Sequence, residues 1–421
     1  MTTRAAGDRP PVWRNPRFRL FWTGQAVSDL GDRVSELALP LVAITVLQAR
    51  PLQVGALIAA IWMPNLLALF VGTWVDHLTH KKLMLVVANL IQAGAVLAVP
   101  VAYLTGTLAM PVLYVAALIG GLGGVLYHTA YPPFFAQLVA REQYVEANSL
   151  LSATGSGSSI IGPPLGGALV KVLGAPLALV VDACSFLVSA ALINRVKLSE
   201  QATEGTSEGY RARLRQGVGY LRRHPYLRAT LACSTMLNFF AFIVTAVLLL
   251  YASRTLELDA GTIGVALGVG ATGALAGAAA AGPVSRLLGT GRTVATGAVL
   301  FSLPFALLAF ADGTPVAARV AALATAEFIS GFGIMLFDIN LNSLKTAVTV
   351  DSMRSRVSGA YATVNYGIRP LGALVGGWSA EHFGIPVTMS AAGLAGTLAV
   401  LWLIPSPVLS TRRVDDLQQV L

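Results

Sequence analysis

Apolar stretches of about twenty residues recur along the whole of this chain, separated by short breaks rich in Arg, Lys, Gly and Pro. An α-helix rises 1.5 Å per residue, so about twenty residues cross the roughly 30 Å hydrocarbon core of a bilayer. Stretches of that size lie near 18–47, 52–75, 83–105, 110–138, 144–173, 175–195, 227–253, 260–286, 293–311, 315–342, 353–382 and 386–405. They predict an all-α integral membrane protein with twelve transmembrane helices. Only 12% of the 421 residues are charged and 55% are hydrophobic, against about one-quarter charged in soluble domains, which excludes an ordinary soluble enzyme.

The net charge of +9 comes from basic residues that flank the apolar stretches, so it points to anionic membrane lipid as a partner and not to nucleic acid. Of the 29 Lys and Arg, 23 fall in the termini and in the breaks after even-numbered stretches, 4 in the opposite breaks, and Arg33 and Arg369 inside stretches. Basic residues accumulate on the cytoplasmic side, which makes both termini cytoplasmic in a multi-pass protein of the cell membrane. The excess of Arg over Lys and the heavy use of Ala suggest a bacterial source. Cys184 and Cys233 sit in apolar stretches and read as buried thiols, with no disulfide framework.

The longest polar segment divides the chain into an N-terminal six-helix bundle over 1–196, a cytoplasmic linker over 197–225, a C-terminal six-helix bundle over 226–405 and a cytoplasmic tail over 406–421. Within the linker, 210–223 alternates apolar and basic residues as an interfacial amphipathic helix would, although a solvated hinge is the simpler reading. An offset of about 210 residues aligns the halves: Asn15-Pro16 with His224-Pro225, Gly162-x3-Gly166-Gly167 with Gly372-x3-Gly376-Gly377, and Gly174-x-Pro176 with Gly384-x-Pro386. Two pseudo-symmetric bundles predict a site near mid-membrane between them and transport by rocking one against the other.

These residues resemble the major facilitator superfamily over nearly the whole chain. Gly72-x3-Asp76 through Lys81-Lys82 is similar to that family's G-x-x-x-D-R-x-G-R-R/K loop, departing from it at His77, Thr79 and His80. Gly162-Pro163-Pro164-Leu165-Gly166-Gly167 looks like the antiporter motif of its drug-export branches. The segments Gln25 to Asp32 and Arg141 to Asn148 resemble exporters grouped with macrolide efflux and enterobactin export proteins. The resemblance implies gating roles for Gly72, Asp76, Lys81, Gly162, Pro163, Gly166 and Gly167, with Asp76 set against a helix N-terminus to hold the cytoplasmic side shut.

Asp29, Asp32, Arg33 and Glu36 lie at i, i+3, i+4 and i+7 and therefore on one helical stripe. Arg33 falls near the membrane midplane, where each charge exposed to lipid costs about 2.5–3.5 kcal/mol, so the stripe must line a cavity or a helix contact. One ionic cluster of Asp29, Arg33 and Glu36 would leave Asp32 as surplus acid. Because drying raises a carboxyl's affinity for a proton, Asp32 and Glu36 are the first candidates for proton coupling; a neutralising network that only locks the helix is the alternative. In the second half Glu327, Asp338 and Arg369 are the embedded charges, and Glu327 and Arg369 reach similar depth, where they could pair. Asp182 reads as packing.

Aromatic and amide residues suited to an amphipathic cavity are Trp62, Asn65, Tyr127, His128, Tyr131, Asn238, Phe239, Phe242, Tyr361 and Asn365. Pro132 and Pro133 suggest a bend toward that cavity. No phosphate-binding loop, catalytic constellation or metal-ligand spacing occurs in the sequence, so neither a cofactor nor a metal is expected. The expected protein is a monomeric secondary transporter, coupling protons to export of a small hydrophobic or amphipathic organic compound such as a drug, macrolide-like natural product or siderophore. An uptake symporter for a metabolite and a membrane-embedded enzyme or lipid-binding module are the alternatives.

Overall fold

A computed structural model describes residues 11–68, 71, 72, 75, 78, 80–198, 210–413 and 417. Asp76, part of the expected linker and the end of the tail lie outside the described residues. Among those residues every regular element is helical. The helices are α1 (Pro16–Leu41), α2 (Pro51–Trp62), α3 (Lys81–Leu104), α4 (Met110–Leu138), α5 (Tyr144–Leu173), α6 (Ala175–Asn194), α7 (Tyr210–Arg223), α8 (Pro225–Leu250), α9 (Ala260–Leu288), α10 (Thr290–Leu308), α11 (Val316–Ala347), α12 (Arg354–Phe383) and α13 (Ile385–Thr397). Their starts follow capping chemistry. Asn15 Oδ1 accepts from Arg17 N at 3.0 Å ahead of Pro16, and Asp259 caps α9 through the amides of Gly261 and Thr262, in each case occupying donors that the first helical turn leaves open.

Eight described helices are long and apolar enough to cross a membrane. The long helices that fall short of that apolarity are α1, α5 and α12, and these carry the charge stripe, the Gly-Pro motif and Arg369. Large apolar side chains such as Val172, Leu287 and Phe310 stand about 80% exposed, as suits an outer surface bathed in hydrocarbon. The same inversion explains Cys184, which lies on the outside of α6, while Cys233 is buried as expected.

The chain forms two compact units, one of residues 1–42 and 67–206 and the other of 43–66 and 207–421. In the first, α1 packs on α5 and α6, and α3 packs on α4 and α6. Its core holds Phe18, Phe21, Tyr127, Phe134 and Phe135. In the second, α11 lies between α9 and α10, and α12 packs on both α2 and α8. Gly55 of α2 and Gly377 of α12 meet so closely that a Cβ on either would strike the other's backbone.

The internal repeat is visible in backbone geometry. A wide π-helical turn extends α1 over Val42–Val46 and α8 over Tyr251–Thr255. Each is followed by a residue in the left-handed region, Gln48 at φ 50° and Glu257 at φ 54°. Each is closed by one backbone bond, Ala49 N to Ala43 O at 2.9 Å and Leu258 N to Ala252 O at 3.0 Å. Gly174 and Gly384 likewise share a positive φ, 82° and 87°, at the joints before α6 and α13, where a side chain would be strained.

Two sequence expectations are corrected. Pro132 and Pro133, expected to break their helix, do not, since α4 runs through them; prolines are tolerated in membrane helices where neighbouring groups take up the freed backbone positions. The basic segment 210–223 forms helix α7, which seats against α8 and α12 and is not a free hinge.

Candidate functional site

In the first unit the site is built on α1. Gly162 of α5 faces Arg33 so closely that a Cβ there would overlap Arg33 Cβ and Cγ. One turn on, a Cβ at Gly166 would stand 3.2 Å from Val34 Cα. The Gly-Pro motif thus makes the groove in which the stem of Arg33 lies, through the close approach that small residues permit. Substitution of Gly162 by Val should cost about 1–3 kcal/mol through overpacking, read as a lower melting temperature in detergent; Ser159→Val, one turn earlier on α5, is the comparison.

Arg33 Nη1 donates to Glu36 at 2.8 and 3.1 Å, and the pair is open, its side chains 38% and 61% exposed. Asp29 is not in that ion pair, contrary to the expected three-residue cluster. It accepts instead from Gln25 Nε2 at 2.6 Å, and Gln25 Oε1 accepts from Tyr127 OH at 2.5 Å, a relay from α1 to α4. Asp32 accepts no hydrogen bond among the described residues. It lies in the field of three other acids, Asp182, Glu36 and Asp29, with Arg33 the opposing charge.

Asp182 on α6 is more than packing. It is 1% exposed and accepts from the hydroxyls of Ser35 on α1 and Ser185 on its own helix. Gly31 allows this approach, since a Cβ there would overlap Ser185 and the Asp182 carboxylate. Sequence spacing could not pair Ser35 with a residue 147 positions away. His128 is exposed and stands edge-on to Tyr127, whereas Tyr131 belongs to the aromatic core, 5.7 Å from Phe21 and 5.8 Å from Phe135 between ring centroids.

Around the remnant of the loop motif, Gly72 lies beside Thr129. Lys81 opens α3, is 2% exposed and donates its Nζ to the carbonyl of Val75. Its neighbour Lys82 reaches Asn194 O and Val196 O beyond α6 at 3.3 and 3.4 Å. These lysines act as hydrogen-bond caps on chain ends. Asp76, expected to sit against a helix N-terminus, is outside the described residues.

The second unit holds a separate cluster around Arg369. Its guanidinium carbon lies 4.4 Å from the Trp62 ring, 4.5 Å from Tyr366 and 5.1 Å from Phe242, and Nε donates to Asn238 Oδ1 at 3.0 Å. Asn365 touches Asn238 at 3.5 Å. Three aromatic faces and an amide hold one cation without neutralising it, an arrangement that cation–π attraction stabilises. Asp338 acts on it as an opposing charge.

Glu327 does not pair with Arg369. It packs on Gly270 of α9, where a Cβ would meet Glu327 Oε2 at 3.0 Å, and has no ion pair among the described residues. Tyr361 is buried with the apolar core beneath Lys345, apart from the Arg369 cluster. Among the described residues Asn65 bonds the carbonyl of Trp62, and Phe239 offers its backbone to Gly372.

Gly372 and Gly376 close-pack α12 on α8 as Gly162 and Gly166 close-pack α5 on α1. The two crossings nevertheless carry their cation on opposite partners: Arg33 on the first helix of its pair, Arg369 on the second.

Apolar-surfaced helical units with charges concentrated at such crossings define a polytopic membrane transporter. The chain matches the family model described as transmembrane secretion effector over residues 10–419 and belongs to that family, an efflux branch of the major facilitator superfamily. It is 25% identical over 344 residues to the multidrug efflux pump Tap of Mycolicibacterium fortuitum, covering 79% of this chain and 81% of Tap. It is 24% identical to the MFS-type transporter YfiS of Bacillus subtilis over 96% of both chains. Among solved structures, a bacterial homologue of the iron transporter ferroportin in its inward-facing state matches with TM-score 0.72 and 18% identity over 92% of this chain and 98% of that one. The nucleoside transporter NupG matches with TM-score 0.72 and 12% identity over the same shares. These likenesses establish the fold.

Proposed function

We propose that this chain is a proton-coupled antiporter that exports a small hydrophobic or amphipathic organic compound by alternating access. In this reading twelve spans form two six-helix halves, over 1–196 and 226–405, with both termini cytoplasmic in a bacterial cell membrane, and the protein acts as a monomer. The observation that carries it is the acid excess at the α1 crossing: Asp29, Glu36 and Asp182 act on Asp32, against which Arg33 is the opposing charge. A carboxyl without a fixed countercharge is suited to gain and lose a proton as water reaches and leaves it. Tap, a multidrug efflux pump by name, supports the direction, and the Arg369 cluster with its aromatic faces supports an organic substrate.

A 100 mV potential supplies about 2.3 kcal/mol per charge, enough for roughly 50-fold accumulation. The test is substrate-induced proton movement in everted vesicles across a panel of antibiotics, dyes and siderophores. A compound that collapses the pH gradient only in vesicles containing the protein is the expected result. Export that persists unchanged when the proton gradient is abolished would overturn the coupling.

A further inference from the structure

Beside the turn between α7 and α8 lies a cavity of about 1190 Å³ that none of the transport residues line. Its walls are of two kinds. Arg215, Arg222 and Arg223 contribute guanidinium groups, while Val218, Pro225 and Met353 contribute apolar surface. The three arginines are exposed and have no ion-pair partner among the described residues. Seven residues separate Arg215 from Arg222, which sets both on one side of α7.

The opposite side of α7 is fastened to the second unit. Leu221 is 2% exposed, a Cβ on Gly217 would overlap the Arg356 carbonyl of α12, and Tyr220 OH donates to Val348 O at 3.4 Å. The basic side is therefore held in place and is not a swinging tail. His224 closes the turn between the rings of Tyr220 and Tyr226, each 5.9 Å away. Its Nδ1 is buried without a hydrogen-bond partner among the described residues, and burial pushes its imidazole pKa below the ordinary value.

We propose that this cavity is a binding site for the headgroup of an anionic phospholipid, with the phosphate between Arg222 and Arg223 and the acyl end over Val218 and Met353. The argument is complementarity: arginines with no ion-pair partner among the described residues call for an anion, and the apolar wall calls for a ligand with an apolar end. The place agrees, because the turn opens α8, one of the apolar spanning helices, where tyrosines and basic side chains meet the lipid headgroups. Free phosphate would satisfy the arginines and leave the apolar wall bare.

The test is titration of the purified full-length protein in nonionic detergent with dioctanoyl phosphatidylglycerol, dioctanoyl phosphatidylcholine and inorganic phosphate, read by native mass spectrometry. Phosphatidylglycerol is expected to bind at least about 10-fold tighter than the other two, and Arg222→Gln with Arg223→Gln to weaken it by about 10-fold or more. Arg412→Gln with Arg413→Gln should leave it unchanged. If the paired variant fails to fold, exposed Arg215→Gln takes its place in the same titration, with weakening again expected. Equal binding of phosphatidylcholine, competition by phosphate at equal affinity, or phosphatidylglycerol binding indifferent to the arginine substitutions would overturn the proposal.

Discussion

Replacement of Asp32 by Asn is expected to abolish substrate-driven proton movement and to lower the gradient the protein can sustain by about 50-fold for each proton uncoupled at 100 mV. The reason is local. Of the acids on the α1 stripe, Asp29 is engaged by Gln25 and Glu36 by Arg33, whereas Asp32 has neither a hydrogen bond nor an ion pair among the described residues. The Glu36 pair is open to solvent, where an ion pair contributes about 0–1 kcal/mol, so Glu36→Gln should have the smaller effect. Ser35→Ala, which removes a donor from buried Asp182, should fall between them. The measurement is the pH change on substrate addition in everted vesicles at matched protein amounts, and full coupling in both Asp32→Asn and Glu36→Gln would remove the stripe from the mechanism.

Removal of the Arg369 side chain is the second large effect. Arg369→Ala takes away a desolvated cation–π contact worth about 2 kcal/mol and a charged hydrogen bond to Asn238 worth about 1.5–3 kcal/mol, contributions that overlap and do not simply add. It also empties the space between Trp62, Phe242 and Tyr366. Arg369→Lys keeps the charge and loses the planar stacking and the Nε donor, so it should recover only part of the loss. Thermal unfolding in detergent separates the two: Ala should melt lowest, Lys between Ala and the native protein, and equal melting of all three would show that the rings hold the guanidinium without gaining from it. Transport by the Lys variant then reports whether charge alone suffices for substrate handling.

Much of this was legible in the sequence, and the reason differs by element. The spanning helices follow from the length of the apolar stretches, because the bilayer sets that length. The shared stripe of Asp29, Asp32, Arg33 and Glu36 follows from helical periodicity, which is local. Gly162 and Gly166 announced a close helix contact, but only the packed chain shows that Arg33 lies in it.

Partners across helices were not legible. Tyr127 with Gln25, Ser35 with Asp182 and Trp62 with Arg369 depend on which faces meet, and nothing in the spacing along one helix encodes that. The expected pairing of Glu327 with Arg369 failed for this reason: equal depth along two helices does not bring their side chains to the same azimuth. The Pro132-Pro133 step was misread because breaking rules drawn from water apply weakly where neighbouring helices and side chains accommodate the freed backbone groups.

The turns at Val42–Val46 and Tyr251–Thr255 depend little on their side chains. At matched positions only Ala43 with Ala252 and Leu47 with Leu256 keep the same residue, yet the pitch, the left-handed step and the closing amide bond are all retained. A shape secured by main-chain atoms tolerates change in the side chains above it. That freedom is used: Arg254, which stands at the position matched by Thr45, donates to Ile44 O at 3.2 Å and Ala49 O at 2.9 Å, so that one joint clasps the other.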